Sequence, residues 1–105
     1  MQIGQFVQRH IIAIFDHCTI HDPMEFVRLQ DPRHSKDVFD INYPFCKPVH
    51  RISATDNRRY WHDEYRVQDV PVRVTNHWFN PPISKSLPLL RNYMHDRRIV
   101  IDKAG

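Results

Sequence analysis

The chain has 105 residues, of which 41% are hydrophobic and 26% are charged, and its formal net charge is +3. This length and composition predict one globular domain over residues 1–105 and exclude disorder as a global description. Only two residues are glycine, Gly4 and Gly105, which excludes a P-loop, a dinucleotide-binding glycine fingerprint and a G-x-S-x-G nucleophile elbow. We therefore expect no nucleotide or other cofactor.

The chain carries no predicted membrane segment and no predicted signal peptide. No apolar run approaches the roughly 18–20 residues that span a bilayer, and the N-terminus lacks a basic stretch followed by an apolar one. Cys18 and Cys46 are interpreted as two reduced thiols in or near the core, with a single disulfide as the alternative. These features predict a cytoplasmic protein without a membrane partner.

Two helices are predicted in the N-terminal third of the chain. Apolar residues recur at spacings of three and four over residues 3–18, which indicates an amphipathic helix. A shorter helix is predicted after Asp22, with Pro23 at its first position and Glu25 completing a capping box. This helix is expected to end before Asp31, because a proline follows that residue.

Residues 31–47 are turn-rich and show no clear pattern, although Pro48 would place a strand near it at a sheet edge. Three strands are predicted beyond this region, at residues 49–54, 58–67 and 70–79, the last two joined through Gln68-Asp69. A last helix is predicted over residues 86–98, with Ser86 as a cap. The predicted fold class is α+β: an antiparallel three-stranded meander with N-terminal and C-terminal helices packed on one face.

Basic and aromatic residues alternate with inward-facing ones along the predicted strands. If Trp61 and Val72 point into the core, the opposite face is basic and open to solvent, and such a face can hold phosphates and stack on bases. Residues 41–105 contain 11 basic and 6 acidic residues, which favours a polyanionic partner. The predicted nucleic-acid contacts are Arg58, Tyr60, His62, Arg66, Arg73, His77, Arg97 and Arg98.

Two other interpretations of the same residues stay open. The polar face could be ordinary sheet surface, with cross-strand pairs such as Glu64 and Arg73. The protein could also be a non-enzymatic interaction or homodimerisation domain, because aromatic and proline residues gather in irregular segments where they often anchor partners. These residues are Tyr43, Phe45, Trp78, Phe79, Pro81 and Pro82.

The chain has eight histidines, which raises the question of a metal site. His17 and His21 are four residues apart, a spacing that can place two imidazoles on one helix face. However, they lie where the first helix is expected to end, and the sequence has neither H-E-x-x-H nor C-x-x-C. No metal site is therefore predicted.

A small nuclease is the most remote alternative. A metal-dependent form would use the carboxylates of Asp56, Asp63 and Glu64, but the position two after Glu64 is arginine, which stays charged and cannot exchange a proton. A metal-free form would use His62 or His77 as a general base, with Arg73 on the phosphate. The sequence leaves open whether the protein has any catalytic activity.

Overall fold

The computed structural model of the protein describes residues 2–102. These residues form four α-helices and a three-stranded antiparallel sheet, which confirms the α+β class. The helices are α1 (Ile3–Ile20), α2 (Pro23–Leu29), α3 (Pro32–Phe39) and α4 (Ser86–Asp96). The strands are β1 (Cys46–Pro48), β2 (Tyr65–Val67) and β3 (Val70–Val74).

Helix α1 confirms the predicted amphipathic helix and extends it by two residues, to Ile20. Its apolar stripe is buried, as the 3.6-residue period requires. The ring of Phe15 lies 6.0 Å from that of Phe45 and 5.8 Å from that of Tyr65, so α1 contacts the sheet region through this residue. The buried apolar residues of α1 are Ile3, Phe6, Val7, Ile11, Ile14, Phe15 and Cys18.

Helices α2 and α3 both begin at an Asp-Pro pair. The start of α2 is as predicted, but α3 falls in the region that showed no pattern. Asp31 caps α3 by accepting a hydrogen bond from the backbone N–H of Arg33 at 2.8 Å. The predicted capping box of α2 is wrong, because Asp22 forms no side-chain cap bond and Glu25 is buried away from the cap.

The strand order is β1-β3-β2, so the predicted consecutive meander is wrong. Strand β3 lies in the centre and pairs antiparallel with both neighbours, with Cys46 opposite Val74 and Tyr65 opposite Val72. The reason is that residues 49–64, which we call the crossing segment, leave the sheet between β1 and β2 instead of turning directly back. Strand β1 is an edge strand, as Pro48 predicted.

The crossing segment replaces most of two predicted strands. Residues 49–54 were expected to be extended, but Val49–Arg51 forms a 3₁₀ turn. Of the strand predicted over residues 58–67, only β2 (Tyr65–Val67) is a paired strand. One further residue, Tyr60, forms an isolated bridge with Thr75. A second 3₁₀ turn at Asn57–Arg59 interrupts the pattern, because the backbone N–H groups of Arg59 and Tyr60 bond locally to the carbonyls of Asp56 and Asn57.

The predicted connection between β2 and β3 at Gln68-Asp69 is confirmed as a tight hairpin turn. Both residues have positive φ, 52° for Gln68 and 65° for Asp69. Positive φ at both central positions gives the twist that matches right-twisted strands in a two-residue hairpin. The pair Val67 and Val70 closes the ladder on either side of the turn.

The end of α3 and the start of α4 are joined through Asp40. This residue has φ 56° and ends α3 in the left-handed conformation. Its carboxylate accepts hydrogen bonds from the Ser84 hydroxyl at 3.0 Å and the Lys85 backbone N–H at 3.2 Å. Ser86, expected to cap α4, is instead buried and donates to the Phe39 carbonyl at 2.6 Å. The junction is therefore held by side-chain bonds across 40 or more residues of sequence.

The Asp40 junction predicts a dependence of stability on pH. Hydrogen bonds from the Lys85 backbone, Lys36 and Ser84 hold the pKa of Asp40 below its usual value of 3.8. Because the folded pKa is lower than the unfolded one, the stabilisation is present above pH 3.8 and is lost as the pH falls through the folded value. Asn at position 40 also tolerates positive φ, so Asp40→Asn removes mainly the charge. Urea unfolding should show the wild type more stable at neutral pH, with the difference shrinking in acid. A constant difference down to low pH would contradict this assignment.

Candidate nucleic-acid interface

A row of aromatic rings lies at the surface beyond the end of β3. The rings of Tyr43 and His77 have centroids 5.0 Å apart, and those of His77 and Phe79 are 4.8 Å apart, both edge to face. The guanidinium of Arg59 lies 5.6 Å from the centre of the Tyr43 ring, within cation–π range. Phe79 is 42% exposed, so part of its ring faces solvent. We call Tyr43, His77 and Phe79 the aromatic row.

The crossing segment is attached next to this row by its main chain. The carbonyl of Arg59 accepts from the Thr75 hydroxyl at 2.8 Å and from the Asn76 backbone N–H at 2.9 Å. The Asn76 side chain donates to the Arg58 carbonyl at 3.0 Å. Both arginines are thus positioned through backbone atoms beside the chain that carries His77, and neither guanidinium takes part in those bonds.

The surface around the row is positively charged. Residues 47–62 contain four lysine or arginine residues and one aspartate. The aspartate, Asp56, is paired with Lys47 at 3.1 Å. Over residues 2–102, Arg51, Arg58 and Arg59 form no salt bridge with any described carboxylate. Their charges are therefore not neutralised by the fold and are able to attract an anion.

His77 differs from the other two rings in carrying a buried polar atom without a hydrogen-bond partner among residues 2–102. Its Nδ1 atom is inaccessible and makes no hydrogen bond with any residue in the described range 2–102. Burial and the nearby Arg59 charge lower the pKa of His77 below the usual 6.5. The ring is consequently neutral at physiological pH, which suits a stacking or edge contact better than a phosphate contact.

The structure corrects the predicted exposed sheet face at Arg73 and Tyr60. Arg73 is only 8% exposed, because the crossing segment lies over this side of the sheet, and Tyr60, within that segment, is only 2% exposed. The Arg73 guanidinium donates to the Trp61 and Tyr60 carbonyls at 2.7 and 2.9 Å, and to the side-chain and backbone oxygens of Asn57 at 2.7 and 3.1 Å. Its donors are thus directed at the protein's own backbone.

Tyr60 occupies the same covered side of the sheet. Its hydroxyl is buried and has no hydrogen-bond partner among residues 2–102. Burial, with a smaller contribution from the Asp56 charge, raises the pKa of Tyr60 well above its usual range. The ring is therefore a core group, and its predicted exposure is wrong.

The remaining predicted residues do not gather in one place. Arg58 and His77 are brought together near the aromatic row, and His62 is exposed elsewhere on the crossing segment. Arg66 is exposed on β2, where it donates to the Asp69 carbonyl at 3.2 Å. Only part of the predicted set therefore forms one surface.

The two arginines that follow α4 have separate environments. Arg97 Nε donates to the buried Glu25 at 2.7 Å, and its guanidinium lies 3.7 Å from the Tyr93 ring centre. Arg98 is exposed and lines a groove beside α1. Sequence reasoning missed Arg59, although the adjacent Arg58 was included among the predicted contacts.

The carboxylates considered for a metal-dependent nuclease do not assemble. Asp56 is paired with Lys47, while Asp63 and Glu64 are exposed. Over the part of the chain that the structure describes, no group of three or more His, Cys, Asp or Glu side chains could hold a metal ion. For the metal-free alternative, the cation beside His77 is Arg59, since Arg73 is buried.

The fold and this surface together define a small α+β domain with a basic, aromatic patch at one end of its sheet. No known protein family, curated protein or solved structure matches the chain. No helix within residues 2–102 has the length and apolar character required to cross a membrane.

Proposed function

We propose that this protein binds nucleic acid, with single-stranded RNA or DNA as the preferred form. The observation that carries the proposal is the aromatic row with Arg58 and Arg59 beside it. Exposed rings stack on unpaired bases, and arginine forks bind phosphate with two parallel hydrogen bonds. A duplex hides its base faces inside the stack, so a surface built on stacking favours single strands.

Three features support this assignment. The partly exposed ring of Phe79 offers an apolar face to solvent, and base stacking on such a ring contributes about 1–3 kcal/mol per base. Arg58 and Arg59 carry no competing ion pair with described residues, so phosphate need not displace a carboxylate. The neutral state of His77 allows it to contact a base.

The other predicted contacts take different places in the proposal. His62 and Arg66 are exposed and extend the basic surface for a longer strand. Arg73 holds the crossing segment through its hydrogen bonds, Tyr60 is a buried member of that segment, and Arg97 is bound to the buried Glu25. In this proposal the N-terminal and C-terminal helices pack on one face of the sheet, as predicted from the sequence. It places the protein in the cytoplasm, in keeping with the free thiols of its two cysteines.

Fluorescence anisotropy with labelled single strands of about twelve nucleotides and with a matched duplex tests the proposal. The wild type should bind single strands more tightly than the duplex, and the affinity should fall steeply with salt. Phe79→Ala and Tyr43→Ala should each weaken binding by about tenfold, because each removes one stacking platform. The double change Arg58→Ala and Arg59→Ala should also reduce the salt slope, because fewer counterions are released.

Arg33→Ala is the matched control, since Arg33 is an exposed arginine on α3 that forms no salt bridge with a described residue. It should leave the affinity within about twofold of the wild type. Absence of binding at low salt would defeat the proposal, as would equal losses in the control and in the Phe79 variant. Shortening of the RNA during the assay would favour the nuclease alternative.

A second candidate function is self-association, which the exposed apolar side chains favour. Ile83 is 80% exposed and Val100 is 83% exposed. Exposed apolar side chains of this kind are available for contact with a second copy of the chain. Sedimentation at several concentrations distinguishes the two candidates, since a defined dimer with no salt-sensitive nucleic-acid binding would replace the first proposal by the second.

A further inference from the structure

A groove of about 310 Å³ lies between the last turns of α1 and the chain that follows α4. Its lining combines aliphatic side chains with titratable ones, and it shares no residue with the aromatic row. The lining residues are Ala13, Asp16, His17, Ile20, His21, Arg98, Ile99 and Val100. The groove therefore places two histidines beside a space that is large enough for a small ligand.

The helix continues through the region where the sequence suggested that it ends. Helix α1 extends to Ile20, and the backbone N–H of His21 donates to the His17 carbonyl at 2.8 Å. This bond closes a helical turn between the two residues, so their side chains leave the same face. The two imidazole centroids are 5.3 Å apart. The spacing that sequence analysis discounted is thus realised as a pair of neighbouring rings.

We propose that His17 and His21 form a two-ligand site for a divalent transition-metal ion that prefers imidazole, such as Zn²⁺, Ni²⁺ or Cu²⁺. Imidazole nitrogen is a favoured ligand of these ions, and the i, i+4 spacing on a helix lets two rings approach one ion. Neither ring forms a hydrogen bond with another residue in the range 2–102, so no protein partner has to be displaced from the ring nitrogens. Binding requires rotation of side chains only, because the backbone turn is already formed.

The surroundings of the pair favour a cation and leave part of its coordination sphere open. The site lies at the C-terminal end of an 18-residue helix, where the helix dipole is negative. Asp16 adds a carboxylate to the groove, and Arg98 opposes it with one positive charge. Among the described residues no third histidine, cysteine or carboxylate completes a closed metal site. The remaining positions are therefore left for water or for an exogenous ligand in the groove, as in open metal sites.

Isothermal titration calorimetry of the full chain with ZnCl₂ and NiCl₂ tests this site. The wild type should bind one ion of either metal saturably, through both histidines. His17→Ala and His21→Ala should each weaken the affinity by at least about tenfold, because a chelate becomes a single-ligand contact. His62→Ala is the matched control, since His62 is exposed and has no ring neighbour among the described aromatic contacts. It should leave affinity and stoichiometry unchanged.

Paramagnetic broadening by Cu²⁺ gives a second readout on the unmodified protein. Amide signals around residues 17–21 should broaden first as the ion is added, ahead of those around the other histidines. Broadening that begins elsewhere would overturn the proposal, as would an equal loss of affinity in the His62 variant. Failure of the wild type to bind any of the three ions saturably would overturn it as well. The nucleic-acid proposal does not depend on this outcome, because it uses none of the groove residues.

Discussion

Replacing Glu25 by alanine is expected to destabilise the folded protein by about 3–5 kcal/mol, since it breaks a buried charged network. Small domains are commonly stable by only about 5–15 kcal/mol, so this single change would remove a large part of the total. The effect should be among the largest produced by any one substitution in this chain, because the Arg97 charge and the Tyr93 hydroxyl would both lose their acceptor.

The cost follows from how completely Glu25 is enclosed and satisfied. Its side chain is fully buried and accepts hydrogen bonds from the Tyr93 hydroxyl at 2.6 Å and Arg97 Nε at 2.7 Å. Arg28 contributes a third contact at 3.3 Å. Burial, together with the Glu25 bond, raises the pKa of Tyr93 far above its usual range, so that its hydroxyl stays a donor. Removing the carboxylate leaves a buried hydroxyl and a partly buried guanidinium without their acceptor.

Urea unfolding of the wild type and Glu25→Ala measures the loss. Glu25→Gln should fall between them, because the amide oxygen still accepts a bond but the charge is gone. Arg28→Ala is the control from the same cluster: Arg28 is half-exposed, so its removal should cost much less than the removal of Glu25. A loss for Glu25→Ala no greater than that for Arg28→Ala would show that the network does not hold α2 to α4.

The second large effect is expected for Arg73→Ala, at about 2–4 kcal/mol, because the buried Tyr60 carbonyl and three part-buried oxygens lose their donors. Four hydrogen bonds end on Asn57, Tyr60 and Trp61, all in the crossing segment. The loss should be felt first in that segment, so amide exchange of residues 57–61 should accelerate more than exchange in β3. Chemical denaturation combined with hydrogen exchange measures both the size and the place of the effect.

Two variants distinguish the structural role of Arg73 in holding the crossing segment from a direct contact with phosphate. Arg73→Lys keeps the charge but not the fork geometry, and should restore only part of the stability. Arg66→Ala removes an exposed arginine from β2 and should change stability by less than about 0.5 kcal/mol. If Arg73→Ala weakened nucleic-acid binding without any loss of stability, the burial assigned to Arg73 would be contradicted.

Some of the fold could be predicted because local patterns and tertiary structure agree. The apolar period of α1, the Asp-Pro start of α2 and the Gln68-Asp69 turn all act over a few residues. Helix α3 also begins at an Asp-Pro pair, but residues 33–37 are all polar, so Val38 and Phe39 are the only apolar residues that could show a helical period. Here the start signal was present and the periodicity was too short to reveal the helix.

The sheet order could not be predicted, because it depends on contacts that are distant in sequence. Alternation over residues 58–67 resembles a strand, but residues 57–61 are held by the Arg73 and Thr75 side chains and by a single isolated backbone bridge, without a continuous ladder. The same contacts reverse the expected exposure of Arg73. In the candidate interface, His77 and Arg58 were recognised by residue type, whereas their association with Tyr43 required knowledge of how the chain folds back.

The attachment of the crossing segment has a consequence for how this surface can change. Arg73, Thr75 and Asn76 hold residues 57–61 mostly by carbonyl oxygens, which every amino acid supplies. The fold consequently places little demand on the identities of Arg58 and Arg59. Their side chains are free to diversify while the backbone that presents them stays in place, in the way that a rigid framework carries variable recognition loops. Whatever this domain binds, its specificity can be altered at these positions without rebuilding its core.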